Sequence, residues 1–272
     1  MTGLILYFSG TGNTKRVANE FKACLLKKKV NVLMYSIEEH IDLTNIGYDF
    51  LIVGFPKYYE YPVMCMLNYL KRNLQKRDKP IPTLAFCTQA GPLQTDFTGL
   101  EKLLKKKNHR LTVAISFPYA NNMMIFRAFK PTEPSKLMEN QENIRKQIEP
   151  LLNIFLKGEI SKEHTKIWQR LFVYLVAAAC TKLMPAFAMR FSADQSCTHC
   201  GLCAENCPMK NIKMVHGNPV FENHCLFCMR CINSCPSNSI RYNKRKCRQY
   251  KWKQTLQPIE NKPSDVSEHK GK

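Results

Sequence analysis

Short apolar runs alternate with longer amphipathic stretches from the first residue to about residue 157. The runs at 4–9, 30–35, 50–55, 83–88 and 111–117 are rich in Val, Ile, Leu and Phe. Such continuous apolar runs suit strands buried on both faces of a parallel sheet. Between them, 14–28, 63–74, 97–106 and 135–156 repeat their apolar positions at helical spacing. Strand–helix alternation of this kind predicts a doubly wound α/β domain over 1–160. Its ligand would lie at the carboxyl ends of the strands, near the point where strand order reverses.

The pattern then changes twice. Within 161–191, Trp168, Leu171, Phe172, Tyr174, Leu175 and Val176 lead into Ala177-Ala178-Ala179, with Arg170, Lys182 and Arg190 as interruptions and Pro185 near the end. This predicts a connecting helix packed between two domains. A helix lying on a membrane surface is the rival reading; a span is disfavoured because the uncharged run is too short. Residues 192–243 carry eight cysteines in an internal repeat, and 244–272 form a basic, polar end expected to be disordered. The opening Met1-Thr2-Gly3-Leu4-Ile5-Leu6-Tyr7-Phe8 lacks a charged leader and runs into a glycine turn, so it reads as a buried strand rather than a secretory signal.

Composition narrows the classes further. With 272 residues, 44% hydrophobic and 23% charged, a disordered or fibrous chain is excluded. The formal charge of +20 and the 13 cysteines stand out. An odd cysteine count, concentrated in one short stretch, argues against a secreted disulfide framework and for metal chemistry in a reducing compartment, hence a cytoplasmic location.

The cysteines fall in two runs, Cys197-x2-Cys200-x2-Cys203-x3-Cys207-Pro208 and Cys225-x2-Cys228-x2-Cys231-x3-Cys235-Pro236. The offset between them is uniform, and Asn211-Ile212-Lys213 in the first half corresponds to Ser239-Ile240-Arg241 in the second. Structural zinc takes separated Cys-x2-Cys pairs, not overlapping triples. The spacing resembles the bacterial two-cluster ferredoxins, a small α+β domain in which the fourth cysteine of each run ligates the other cluster. The resemblance implies two [4Fe–4S] clusters. Cys197, Cys200, Cys203 and Cys235 would hold one; Cys225, Cys228, Cys231 and Cys207 would hold the other.

After the first strand comes Ser9-Gly10-Thr11-Gly12-Asn13-Thr14-Lys15-Arg16, opening a helix. Glycines alternating with hydroxyls can wrap a phosphate, and the helix N-terminus adds positive potential. The loop is neither a Walker A loop nor a dinucleotide fingerprint, since Lys15 stands at the third glycine position. It resembles the phosphate loop of the flavodoxin family, Ser/Thr-x-Thr-Gly-x-Thr, with Ser9, Thr11, Gly12 and Thr14 at the defined positions. That resemblance implies a five-stranded parallel sheet in the order 2-1-3-4-5, with FMN at its edge. The phosphate would meet residues from Ser9, Gly10, Thr11, Gly12, Asn13 and Thr14. Two more loops would cradle the flavin ring: one carrying Pro56, Tyr58 and Tyr59, the other Thr88, Gln89, Ala90 and Gly91. Which of Tyr58, Tyr59 and Tyr61 stacks on the ring stays open. These loops lack the tryptophan found in many flavodoxins.

Joined, the chain resembles fused flavodoxin–ferredoxin proteins, which implies an electron-transfer or oxidoreductase role with a redox protein partner. A small-molecule acceptor at the flavin, or a pure electron carrier, are the two leading expectations. Nucleic-acid binding through the basic 244–253 stretch is the weakest. Cluster thiolates, cubes and FMN phosphate would lower the formal charge of +20 to about +14, which suits docking of an acidic partner. Cys24, Cys65, Cys87, Cys180 and Cys247 are expected as buried structural thiols, with Cys65 and Cys87 closest to the flavin loops. Residues 117–124 are expected as a connecting loop, with a lid over the flavin as the alternative. His109 and His199 have no partner at a spacing that suits acid–base chemistry.

Overall fold

A computed structural model describes the chain apart from residues 59–60, 94, 127–128, 164 and 251–272. Tyr59 and the end of the basic tail therefore lie outside the described residues.

The first half is built from β1 (Thr2–Tyr7), α1 (Asn13–Lys27), β2 (Asn31–Ser36), β3 (Phe50–Tyr58), β4 (Tyr61–Pro62), α2 (Met64–Asn73), β5 (Ile81–Gln89), α3 (Thr98–Lys106), β6 (His109–Pro118), α4 (Pro134–Leu156) and β7 (Ser161–Lys162). The strands run in the order β2-β1-β3-β5-β6-β7, every neighbour parallel. Alternation along β1 sends Leu4, Leu6 and Phe8 to one layer with α2 and α3, where they meet Met66, Leu70 and Leu104. Ile5 and Tyr7 go to the other, with Phe21 and Leu25 of α1 and Ile148 and Leu152 of α4. The reversal in strand order falls between β1 and β3, which places the β1–α1 turn beside the β3 and β5 ends.

All five expected strands are present in the expected order. The sheet departs from five strands through two short additions. β4 folds back antiparallel on the end of β3. β7 extends the edge beyond β6, pairing Ser161 with Val113 and Lys162 with Ala114. Each is two residues long, too short to leave an apolar run in the sequence.

The second half consists of α5 (Ile167–Ala188), β8 (Phe191–Ala193), α6 (Leu202–Glu205), β9 (Ile212–Val215), β10 (Asn218–Phe221), α7 (Arg230–Ser234), β11 (Ile240–Tyr242) and β12 (Arg245–Lys246). β9 and β10 form a hairpin whose two turn residues, His216 and Gly217, both have positive φ, as the tight turns that match strand twist require. The repeat seen in the sequence recurs in the backbone: His199, Gly201 and Lys210 are left-handed, and so are Phe227, Met229 and Asn238 at the matching positions.

Two expectations need correction. α5 is not enclosed between the domains: Val173 and Ala188 are buried, but Trp168, Leu171, Phe172, Tyr174 and Leu175 are exposed. The basic tail is also ordered at its start. β12 pairs with β11, Cys247 is buried, and Gln249 Nε2 donates to the carbonyls of Ile232 and Cys235 at 2.8 and 2.6 Å. Charge dominates the composition of 244–250, whereas a few apolar and amide groups decide its packing.

Candidate functional site

The β1–α1 turn is shaped by Gly12, which caps α1 at φ 101°, a region that costs other residues a steric penalty. Ser9 Oγ accepts from the backbone N–H groups of Gly12 and Lys15 at 3.1 and 3.2 Å. Thr14 and Thr88 hydroxyls meet at 2.8 Å in a buried contact that ties the turn to the end of β5. No acidic residue occupies the first turn of α1, so nothing there opposes an anion at the helix N-terminus.

This turn forms one wall of an open cleft of about 470 Å³. Of the expected flavin residues, Ser9, Gly10, Thr11, Asn13, Thr14, Pro56, Tyr58, Thr88, Gln89, Ala90 and Gly91 all line it. Gly12 shapes the turn without lining the cleft, and Tyr59 lies outside the described residues. The 89–93 loop is held by its own groups. Gln89 Nε2 donates to the carbonyls of Gly91 and Leu93, Lys57 Nζ donates to the Leu93 carbonyl, and Thr95 Oγ1 donates to Gln89 Oε1. The Gln89 side chain is thus spent on the loop, which leaves backbone groups to face the cleft.

The segment after β6 does more than connect. Asn122 Nδ2 donates to Thr11 Oγ1 at 2.7 Å, and Asn13 Nδ2 donates to the Ala120 carbonyl at 3.3 Å. Tyr119, Ala120, Asn121, Asn122 and Met123 form a further wall. Sequence reasoning missed Lys57, Phe126, Phe129, Cys180 and Met184, which also line the cleft. Cys65 and Cys87 do not line it. Burial pushes the Cys65 thiol up to about 12, and Cys87 is fully buried against the Thr95 hydroxyl.

The eight repeat cysteines separate into two sets. Cys207, Cys225, Cys228 and Cys231 line one small cavity. Cys197, Cys200, Cys203 and Cys235 line another. In each set three members come from one run and the fourth from the other. Among the described residues no three His, Cys, Asp or Glu side chains gather as a single metal ion needs.

The surroundings of the two sets repeat as well. The N–H of Asn211 donates to Cys207 Sγ and that of Ser239 to Cys235 Sγ, both at 3.3 Å. Asn211 and Ser239 are both buried, and both side chains are used: Asn211 Oδ1 accepts from the His224 N–H at 2.7 Å, and Ser239 Oγ meets Cys235 Sγ at 3.3 Å. Burial pushes the Cys225 thiol up to about 12 and Cys228 up to about 11. Cys231 is raised well above its ordinary range, again by burial. Burial also raises Cys235, but hydrogen bonds from Ser239 and Ser237 outweigh it and its thiol sits below the ordinary range. Thiols this buried become thiolates only beside a compensating positive charge.

The cysteine half closes directly on the β1–α1 turn. A Cβ at Gly10 would come within 3.0 Å of Cys228 and 2.4 Å of Tyr58 Oη, so only glycine fits there. The Arg230 guanidinium donates to the carbonyls of Ser9 at 2.8 Å, Gly10 at 3.0 Å and Asn206 at 3.0 Å. It also forms a bidentate pair with Glu38, both bonds 2.7 Å. Tyr250 Oη donates to Asn13 Oδ1 at 3.4 Å. Arg230 follows Met229 inside the second cysteine run; no periodicity or spacing distinguishes it from the rest of the 41 Lys and Arg residues.

Comparison with known proteins agrees with this division. Residues 196–240 match the family described as the 4Fe-4S dicluster domain. Among solved structures, an archaeal flavodoxin is 17% identical, covering 55% of this chain and 99% of its own with a TM-score of 0.33. Flavodoxin 2 from Bacillus cereus is 16% identical over 57% of this chain and 100% of its own, with a TM-score of 0.38. The rubredoxin oxygen:oxidoreductase of Desulfovibrio gigas is 14% identical over 56% of this chain and 37% of its own, at 0.34. These scores lie below 0.5, so the flavodoxin-like architecture rests on the strand order itself. No curated protein matches the chain. A parallel sheet in this strand order is thus joined to a segment, 196–240, that matches the 4Fe-4S dicluster domain.

Proposed function

We propose that this chain is an iron–sulfur flavoprotein that exchanges electrons between two [4Fe–4S] clusters and FMN, and acts as an oxidoreductase on an acceptor still to be identified. The observation that carries the reading is the contact of Cys228 with Gly10, which sets a candidate cluster ligand against the candidate phosphate turn.

The residues present suit both groups. Cys207, Cys225, Cys228 and Cys231 would hold the cluster beside the turn, and Cys197, Cys200, Cys203 and Cys235 the outer one. Ser9, Gly10, Thr11, Gly12, Asn13 and Thr14 would hold the FMN phosphate, while Pro56, Tyr58, Thr88, Gln89, Ala90 and Gly91 would flank the ring; Tyr59 is a candidate from sequence only. When bound, FMN supplies storage of one or two electrons and the clusters supply single-electron steps. The chain's own part is to fix geometry and exclude water. Asn122 and Ala120 brace the phosphate turn, and Arg230 locks the carbonyls of that turn to the cysteine half.

A redox protein partner would dock near Cys200, the exposed member of the outer set; the formal charge of +20 favours an acidic one. A small-molecule acceptor would lie against Met123, Phe126, Phe129 and Met184, which line the cleft together with the candidate flavin residues. A cytoplasmic location accords with 13 free cysteines.

The test is a count of iron, sulfide and flavin in protein purified and reconstituted without oxygen, with variants of both cysteine runs. About eight irons and one FMN per chain are expected. Cys207→Ala should remove the same cluster signal as Cys225→Ala, and Cys235→Ala the same one as Cys197→Ala. Pairing of Cys207→Ala with Cys197→Ala instead would overturn the crossed assignment.

A further inference from the structure

We propose that α5 docks this protein on an anionic lipid surface through an exposed apolar stripe. The proposal stands on the helix alone and does not depend on which cofactors are bound.

In α5 the outward residues recur at spacings of three and four. Trp168, Leu171, Phe172, Tyr174, Leu175 and Leu183 are each 50% or more exposed. The opposite side is turned to the protein: Val173 is buried, and Cys180 and Met184 line the cleft. Solvent-facing apolar ridges of this length are unusual and mark interaction surfaces. Helices apolar on nearly every side are normally covered, by protein or by lipid.

Charge selects the cover. α5 contains no Asp or Glu. Lys182 is the charged residue on the stripe, and Lys166 and Arg190 flank the helix. Arg170 lies to the side, 3.7 Å from Asp96. Two copies of a chain carrying +20 repel each other, which disfavours pairing of the stripe with itself. A surface of anionic headgroups attracts the same charge and receives the apolar ridge. Trp168 and Tyr174 suit the headgroup boundary, where an apolar ring and a polar handle are both accommodated. Lys182 reaches from the ridge to the headgroups along its own methylene stem.

The helix lies on the surface rather than through it. No single helix among the described residues is long and apolar enough to cross a membrane; Ile167–Cys180 and Lys182–Ala188 reach that length and composition only together, as a pair bent by 42°, and one side of the pair is turned to the protein through Val173, Cys180 and Met184.

The experiment is flotation of the reconstituted full-length holoprotein with vesicles of phosphatidylcholine alone, or of phosphatidylcholine with phosphatidylserine. The expected result is capture by the serine-containing vesicles at low salt, weakened by added salt and weak on phosphatidylcholine alone. Leu171→Ser with Leu175→Ser leaves net charge unchanged and should lower the partition about tenfold. In a Trp252→Phe chain with α5 intact, Trp168 fluorescence should shift to the blue on anionic vesicles, a readout that does not depend on how the serine variant folds. Failure to float, absence of the blue shift, or capture unaffected by the two serines would each overturn the proposal. So would sedimentation showing a dimer that the serine variant dissolves, which would assign the stripe to a second copy.

Discussion

Residues 1–160 bury their apolar side chains in two continuous layers, one on each face of a parallel sheet. Residues 191–250 bury Phe191, Phe227, Met229, Ile232, Ile240, Tyr242 and Cys247 around three short strands, with the two cysteine-lined cavities on either side. The first half has the makings of an independently stable domain. The second is of a size at which an apolar core alone supplies roughly 3–5 kcal/mol at most, and metal then becomes part of the folding energy. What differs is the material of the core: hydrocarbon in one half and, on the proposed function, side chains arranged around inorganic groups in the other.

The largest effect should come from removing that material. Stripping iron with a chelator under argon should abolish amide-exchange protection through 191–243 while β1, β3, β5 and β6 keep theirs. Equal loss in both halves would show that the sheet leans on the cysteine half far more than its two apolar layers imply. A smaller effect is expected at the seam. Arg230→Met removes five charge-assisted bonds and leaves Glu38 without its bidentate partner. A destabilisation of about 2 kcal/mol is expected, with flavin released more readily because the Ser9 and Gly10 carbonyls are no longer held. Thermal melts and FMN dissociation would both read it, and an unchanged FMN affinity would separate the clamp from the phosphate turn.

The smallest effect lies wholly inside the first half. His109 is buried, 2.9 Å from Tyr48 Oη and 2.8 Å from the Lys107 carbonyl, and burial lowers its pKa. The folded protein therefore takes up a proton at this ring less readily than the unfolded chain, which does so near pH 6.5. Stability contributed by this site is present above that pH and is lost as pH falls below it. His109→Gln should flatten the fall of the melting temperature between pH 7 and pH 5 by a few degrees. An unaltered acid slope would exclude His109 as its source.

The two halves were also legible to different degrees. The strands of the sheet could be read because each is an apolar run with a helix after it, and the cysteines because eight ligands at fixed intervals have few other uses. β4 and β7 could not, since two residues carry no period. Arg230 was hidden because its role depends on carbonyls more than 200 positions earlier in the chain, at Ser9 and Gly10. Residues 244–250 looked like a charged tail, yet Cys247, Gln249 and Tyr250 fasten them to α7 and to Asn13. α5 misled in the opposite sense: its apolar composition pointed to enclosure, whereas the fold leaves one side of it open.

The central claim is that both halves form a single conduit within one molecule. Laser-flash photoreduction of the reconstituted protein, following cluster and flavin absorbance together, tests it most directly. Electron exchange between the two chromophores should proceed at a rate independent of protein concentration in the wild type and be slowed in Arg230→Met. A rate that rises in proportion to protein concentration would mean that the electrons pass between molecules, and would contradict the account.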